Sequence, residues 1–370
     1  MQLNRRIILS LMIGIAFSGA AIFISFRNVP LAQLLGYVAT INLWWIIPAT
    51  LISLSTYLVR ALRWKVILKP IKKIGFWNSF HPVVIAFTIN CILPGRMGEL
   101  ARPAILYKRD NIQFSKVLAT VAVERIFDIV TLLLFFIFII GSIQIDPSLS
   151  LTFNGHQINQ KTLQDIRGKT IIASFILLGF IFIFMLPITR RAISRSISWF
   201  PRLLFFTTTH FRQHLSERLH ARSHAILDNI ALGFDVLKDP SKIITCLLLS
   251  AGVWLLTFLS FYVFLFGCKG VSITFFQASA SIIIVCFFIM LPSVPGYWGI
   301  WEVGGIYGLM IFGIPKTEAA GLALTFHFIA IIPLILVGIL SAWVIGVNIM
   351  QTGLQSQENM AKEELFQQSD

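Results

Sequence analysis

Two apolar runs too short to cross a bilayer, each ending at a Pro-Gly pair, constrain this chain more than anything else in it. The first, Phe80 to Leu93, is 14 residues long and breaks at Pro94 and Gly95; the second, Phe276 to Leu291, leads into PSVPGYWGIWE. At about 1.5 Å of rise per residue, the first run covers roughly two-thirds of a hydrocarbon core about 30 Å thick. The PG-x-x-G of residues 94–98 reappears at 295–299. Proline cannot donate to the helix ladder and glycine tolerates a reversal, so a run that meets both at half depth is expected to turn back. The two stretches therefore read as re-entrant helical hairpins with elbows at Pro94, Gly95 and Gly98, and at Pro295, Gly296 and Gly299.

The surrounding sequence supplies the membrane. Hydrophobic residues make up 56% of the chain, charged residues 12%, and mean hydropathy is +0.82, which excludes a soluble globule. Spans long enough to cross are predicted at 7–26, 41–60, 116–140, 170–187, 243–267 and 321–347. The fold class expected is an all-α polytopic membrane protein with about six full spans and two re-entrant hairpins. The alternative is eight kinked spans, since a tilted hairpin arm could stretch further. The charged start of the chain is signal-like, but its apolar run is long and no small-residue cleavage site follows, so it reads as a retained first span.

Orientation follows from Lys and Arg. With the N-terminus inside, the cytoplasmic segments hold 23 of the 30 Lys and Arg and the outside loops six. Arg60 and Arg63 are counted there, as caps of the second span. Both feet of the first hairpin then lie on the cytoplasmic side, and the second hairpin enters from outside. Residues 5–140 and 168–347 become two repeats of opposite orientation within one transmembrane domain, 1–350, as in many transporters. An external polar loop, 141–168, joins the repeats, and a polar tail, 351–370, follows. Within the second repeat, segment 188–242 is cytoplasmic, and from His210 to Ile230 its periodicity predicts an amphipathic surface helix. Its His210, His214, His220 and His224 form a stripe that reads as a solvated polar face, because no carboxylate or Cys completes a metal site.

Ionisable residues at bilayer depth cost about 2.5–3.5 kcal/mol or more each, so each needs a partner or an aqueous cavity. Glu124, Arg125 and Asp128 lie inside the third span. Arg125 is expected to reach Asp128 three residues on, leaving Glu124 to face a cavity and receive a cationic group or a proton. Arg96, Glu99 and Arg102 share one face of the arm returning from the first elbow, suited to a lipid phosphate. In the second hairpin Glu302 is the lone charge, near Tyr297, Trp298 and Trp301. His327, in the last span, has no sequence neighbour as partner and reads as a neutral core histidine or a proton relay.

Several functions are excluded. The positive charges sit in short loops between apolar runs, where they report topology and anionic lipid contact, so nucleic acid is not a partner. Cys91, Cys246, Cys268 and Cys286 have no CxxC spacing and imply neither disulfides nor metal. The chain carries no phosphate-binding Walker loop, no nucleophile elbow, no HExxH and no dinucleotide fingerprint; an enzyme is not expected, nor a cofactor.

The order of LVRALRW, LPGRMGELARP, VAVERIFDIV and PSVPGYWGIWEVGG resembles the lysylphosphatidylglycerol synthase transmembrane-region family, flippase-like integral membrane proteins, over roughly residues 5–345. Pro94, Gly95, Arg96, Gly98, Glu99 and Arg102 match the first family motif. Glu124, Arg125 and Asp128 match the second, and Pro295, Gly296, Gly299 and Glu302 the third. Tyr297 and Trp298 stand where smaller residues are more usual. The soluble aminoacyl-transfer domain of bifunctional members is lacking here. The resemblance implies a lipid flippase or lipid-handling transporter of the plasma (inner) membrane, with cytoplasmic termini. Its partners would be membrane lipids, either an anionic phospholipid or a lipid-linked sugar. Two alternatives stand beside it: a non-transporting partner that presents lipid to a membrane-associated transferase, and an ion-coupled small-solute carrier.

Overall fold

The computed structural model describes residues 5–93, 96–142, 151–153, 156–158, 160–185, 239–291 and 293–353. Pro94 and Gly95, the segment 188–238 with its histidine stripe, and the tail from residue 354 lie outside the described residues. The protein is an all-α polytopic membrane protein. Its helices are α1 (Arg5–Phe26), α2 (Leu31–Ala39), α3 (Ile46–Leu68), α4 (Phe76–Ile92), α5 (Gly98–Asp110) and α6 (Phe114–Ser142), then α7 (Gln160–Met185), α8 (Pro240–Leu265), α9 (Phe275–Phe288), α10 (Ile300–Met310) and α11 (Lys316–Val344). The connection between α6 and α7 holds a small antiparallel hairpin, β1 (Leu151–Phe153) with β2 (His156–Ile158).

Local chemistry explains the helix ends. Asp239 accepts from the Ser241 amide and Pro240 follows as the first helical residue of α8, where its missing N–H costs nothing. Thr274 and Gln277 form a reciprocal capping box at the start of α9. Asn111 closes α5 in the left-handed region, at φ 52°.

The length of the helices separates two kinds of element. Among the described residues, Leu43–Leu68, Pro240–Leu265 and Lys316–Val344 are long and apolar enough to cross a membrane singly, and α1 with α2 forms a pair bent by 82°. The first predicted span, 7–26, corresponds to α1, and the bend falls beyond its end, before α2. The 29 residues of α6 are ample, but its first half carries Glu124, Arg125 and Asp128. The hairpin arms are far shorter, at 17 and 13 residues in α4 and α5 and 14 and 11 in α9 and α10. In each pair the arms pack on each other, so the chain reverses at the elbow.

Packing repeats between the two halves. α3 packs on α4 as α8 does on α9, and α5 on α6 as α10 does on α11. The halves also interlock, for α4 meets α11, α6 meets α9, and the corresponding helices α3 and α8 lie against each other along the centre. Close approach is built from small residues. A Cβ on Gly98 would sit 1.8 Å from the Ala86 carbonyl oxygen, so α5 can leave the elbow tight against α4 only with glycine there. The largest apolar cluster joins α8, α9, α10 and α11 through Phe258, Phe261, Ile283, Ile306 and Phe326. Large apolar side chains such as Phe23, Leu51, Leu248 and Trp343 stay on the outside, a surface that lipid satisfies and water would not.

Candidate functional site

The two elbows meet. Arg96 and Tyr297 are each the third residue of their PG-x-x-G motif, and both adopt positive φ, 54° and 62°, a conformation rare for residues with side chains. The strain is held by what the elbows touch. Arg96 Nη2 donates to the Ile289 carbonyl at the end of α9, over 2.6 Å, tying the first elbow to the second hairpin. Gly296 in turn lies against the Cys91 carbonyl of α4, and the Val294 amide donates to Ser18 Oγ of α1.

Beside this junction α3, α5 and α6 bring four guanidinium groups around two carboxylates. Fully buried Arg63 donates to Glu124 (2.9 Å), Asp128 (2.5 Å) and Ser250 Oγ (2.6 Å), stapling α3 to α6 and α8. Glu124, also fully buried, accepts in addition from Arg102 at 2.5 Å and from Arg125 at 3.3 Å. Asp128 is reached by Arg125 at 3.3 Å and by Arg60 at 3.4 Å, and its carbonyl accepts from Trp254 Nε1. Glu99 lies 4.0 Å from Arg125. Phe87 of α4 sits among the arginines, with the guanidinium carbons of Arg60, Arg102 and Arg125 at 5.1, 5.3 and 5.8 Å from its ring centre.

These groups open onto a cavity of about 330 Å³. Both hairpins contribute to its wall, with Asn90, Arg96 and Glu99 from the first and Val285, Tyr297 and Trp301 from the second. Arg60, Arg102, Arg125 and Asp128 face it, whereas Arg63 and Glu124 stand behind them. Much of the remaining wall is apolar, from Ile129 and Leu132 to Ile331 and Leu334.

The opposite side of the cavity holds a second polar knot. His327 Nδ1 lies 2.6 Å from Glu302 Oε1, and its Nε2 lies 2.9 Å from the Gly296 carbonyl oxygen. A carbonyl only accepts, so Nε2 carries a hydrogen; one further proton must then lie between Nδ1 and Oε1. Either way of sharing it leaves the pair with no net charge. The second Glu302 oxygen accepts from the Gly299 amide at 2.6 Å. Trp301 stacks on the imidazole at 4.6 Å and 6°, and Trp298 packs on it at 4.5 Å. The knot fastens both glycines of the second elbow to α11, and Gly299, at φ +84°, could not take another residue without strain.

The structure thus brings Arg96, Glu99, Arg102, Arg125, Asp128 and His327 to one cavity, and the expected pairing of Arg125 with Asp128 is present. Three expectations need correction. Glu124 is not left over, because three arginines saturate it and it does not reach the cavity. Glu302 does not stand alone, because His327, 25 residues away in sequence, partners it; the bond from His327 to the Gly296 carbonyl agrees with its reading as a core histidine. Arg60 and Arg63 do not cap the second span, since α3 continues to Leu68 and carries them inside the protein. Their spacing of three in the apolar stretch YLVRALRW was the available signal. Phe87 and Ser250 carried none. Among the described residues, no group of three or more His, Cys, Asp or Glu could hold a metal ion.

Two helical hairpins meeting at a charged cavity inside a bundle of long apolar helices define an integral membrane protein. The lysylphosphatidylglycerol synthase TM region family matches residues 11–338, and the chain belongs to it. Its function is accordingly lipid-related. No curated protein and no solved structure shows significant similarity to the chain.

Proposed function

We propose that this protein is a lipid flippase or lipid-handling transporter in which the cavity shelters an anionic headgroup while the acyl chains stay in the bilayer. One observation carries the reading: around a cavity between the helices of a membrane protein, arginines outnumber carboxylates. An excess of buried cation is expensive in low dielectric unless an anion joins it, and guanidinium forks suit phosphate oxygens. A volume of about 330 Å³ is at the low end of the roughly 300–1,000 Å³ range of ligand cavities. That is room for a headgroup and not for acyl chains as well. The reading places the protein in the plasma membrane with both termini cytoplasmic; setting aside the arginines drawn into the site leaves the Lys and Arg bias in the same direction.

Reconstitution into liposomes tests this. Fluorescent anionic, zwitterionic and sugar-linked lipids would be followed as they cross between leaflets, beside a water-soluble anion loaded inside. Faster crossing of anionic lipids than in protein-free liposomes is expected, with the soluble anion retained. Crossing at the protein-free rate for every lipid would contradict the proposal.

A further inference from the structure

The charge balance of the cavity distinguishes between classes of phosphate ester, and we infer that the site takes a phosphomonoester lipid headgroup, with two negative charges, in preference to a phosphodiester with one. This rests on the reading above and narrows it. The wall presents Arg60, Arg96, Arg102 and Arg125 against Glu99 and Asp128. Behind it Arg63 and Glu124 cancel, and the Glu302–His327 pair is neutral by its single shared proton. Two positive charges remain; exposed Arg96 and partly exposed Glu99 offset each other, so the excess lies with Arg60, Arg102 and Arg125 over Asp128, and a ligand with two negative charges neutralises it whereas one with a single charge leaves one guanidinium uncompensated.

The geometry points the same way. Arg60, Arg102 and Arg125 converge on the Phe87 ring from three helices. A phosphomonoester offers three terminal oxygens to three guanidinium groups, whereas a diester offers two. Donor capacity is also spare. Arg125 Nε is buried without a hydrogen-bond partner, and the contact from Arg60 to Asp128, at 3.4 Å, is at the weak end of the range. Arg60 can therefore turn to an incoming anion without abandoning a strong bond.

The test uses the full chain in phosphatidylcholine nanodiscs, with binding followed by intrinsic tryptophan fluorescence, since Trp254 and Trp301 line the cavity. Phosphatidic acid and phosphatidylglycerol of matched acyl chains serve as monoester and diester, and inorganic phosphate as the chain-free control. At pH 8 phosphatidic acid is expected to bind at least about tenfold more tightly than phosphatidylglycerol, the worth of one charge-assisted contact. The preference is expected to narrow at pH 5, because a phosphomonoester loses its second charge near a pKa of about 6. Arg60→Gln, which removes a long ion pair and the contact with Phe87 but leaves the Arg63 and Arg102 bonds to the carboxylates in place, is expected to bring the two lipids within about threefold, and Arg60→Lys to restore part of the difference. Equal affinity for the two lipids, an unchanged preference in Arg60→Gln, or binding of inorganic phosphate with none of phosphatidic acid would each overturn the inference. Lipid crossing without monoester preference would sink this inference and leave the transport reading standing; tight monoester binding without crossing would do the reverse.

Discussion

His327 Nδ1 and Glu302 Oε1 stand 2.6 Å apart with the imidazole's other nitrogen already committed to the Gly296 carbonyl, so the pair is held by one proton between two groups that would otherwise repel. A glutamine at position 302 can imitate the protonated carboxyl, with its amide N–H donating to Nδ1 and its oxygen accepting from Gly299. Glu302→Gln is therefore expected to unfold in detergent within about 1 kcal/mol of wild type. Glu302→Ala should lose about 2–4 kcal/mol by leaving the imidazole and the Gly299 amide unsatisfied. Thermal unfolding of both variants checks this; equal losses would show that the proton arrangement is not what matters.

Arg63 holds two carboxylates and a hydroxyl on two other helices from a fully buried position. Removing one partner of such a network strands the rest, so Arg63→Ala is expected to cost about 3–5 kcal/mol. Lysine restores the charge but not the fork, and Arg63→Lys should recover only part of that. Ser250→Ala, which removes a single neutral acceptor, should cost about 1 kcal/mol. Denaturant unfolding of the three variants gives the order; a loss for Arg63→Lys no larger than for Ser250→Ala would contradict the described network.

Gly98 is a point of contact between hairpin arms, where a methyl group would overlap the Ala86 carbonyl. Gly98→Ala is expected to destabilise by about 3 kcal/mol or more, since backbone and not a flexible side chain must give way. Gly36 lies in α2 with open space where its Cβ would point, and Gly36→Ala should be neutral or stabilising by up to about 1 kcal/mol. Comparing the two by thermal unfolding separates a packing requirement from a helix-propensity effect, and similar behaviour would count against tight hairpin closure.

Much of the fold was legible because the bilayer forbids alternatives. The shortness of the runs together with the Pro-Gly that ends each pointed to a reversal, and length and hydropathy pointed to the long apolar helices. The elbows' residues were visible in the repeated motif, and with them Arg96, Glu99 and Arg102. What the chain order hid was partnership across helices. Glu124 looked available because its own helix offered one arginine, while the two that complete its shell come from α3 and α5. Arg63 looked like a loop charge because a helix end cannot be placed to within a turn when arginines interrupt an apolar run. The Glu302–His327 pair joins residues on different helices, and no periodicity connects them.

The central claim, that the arginine-rich cavity carries an anionic headgroup across the membrane, is tested most directly by the rate of transbilayer movement of a phosphate-bearing lipid. Liposomes containing wild type and Arg60→Gln would be compared at matched protein density and matched thermal stability. Loss of one cavity guanidinium is expected to slow movement at least about tenfold. Equal rates in the two preparations would contradict it.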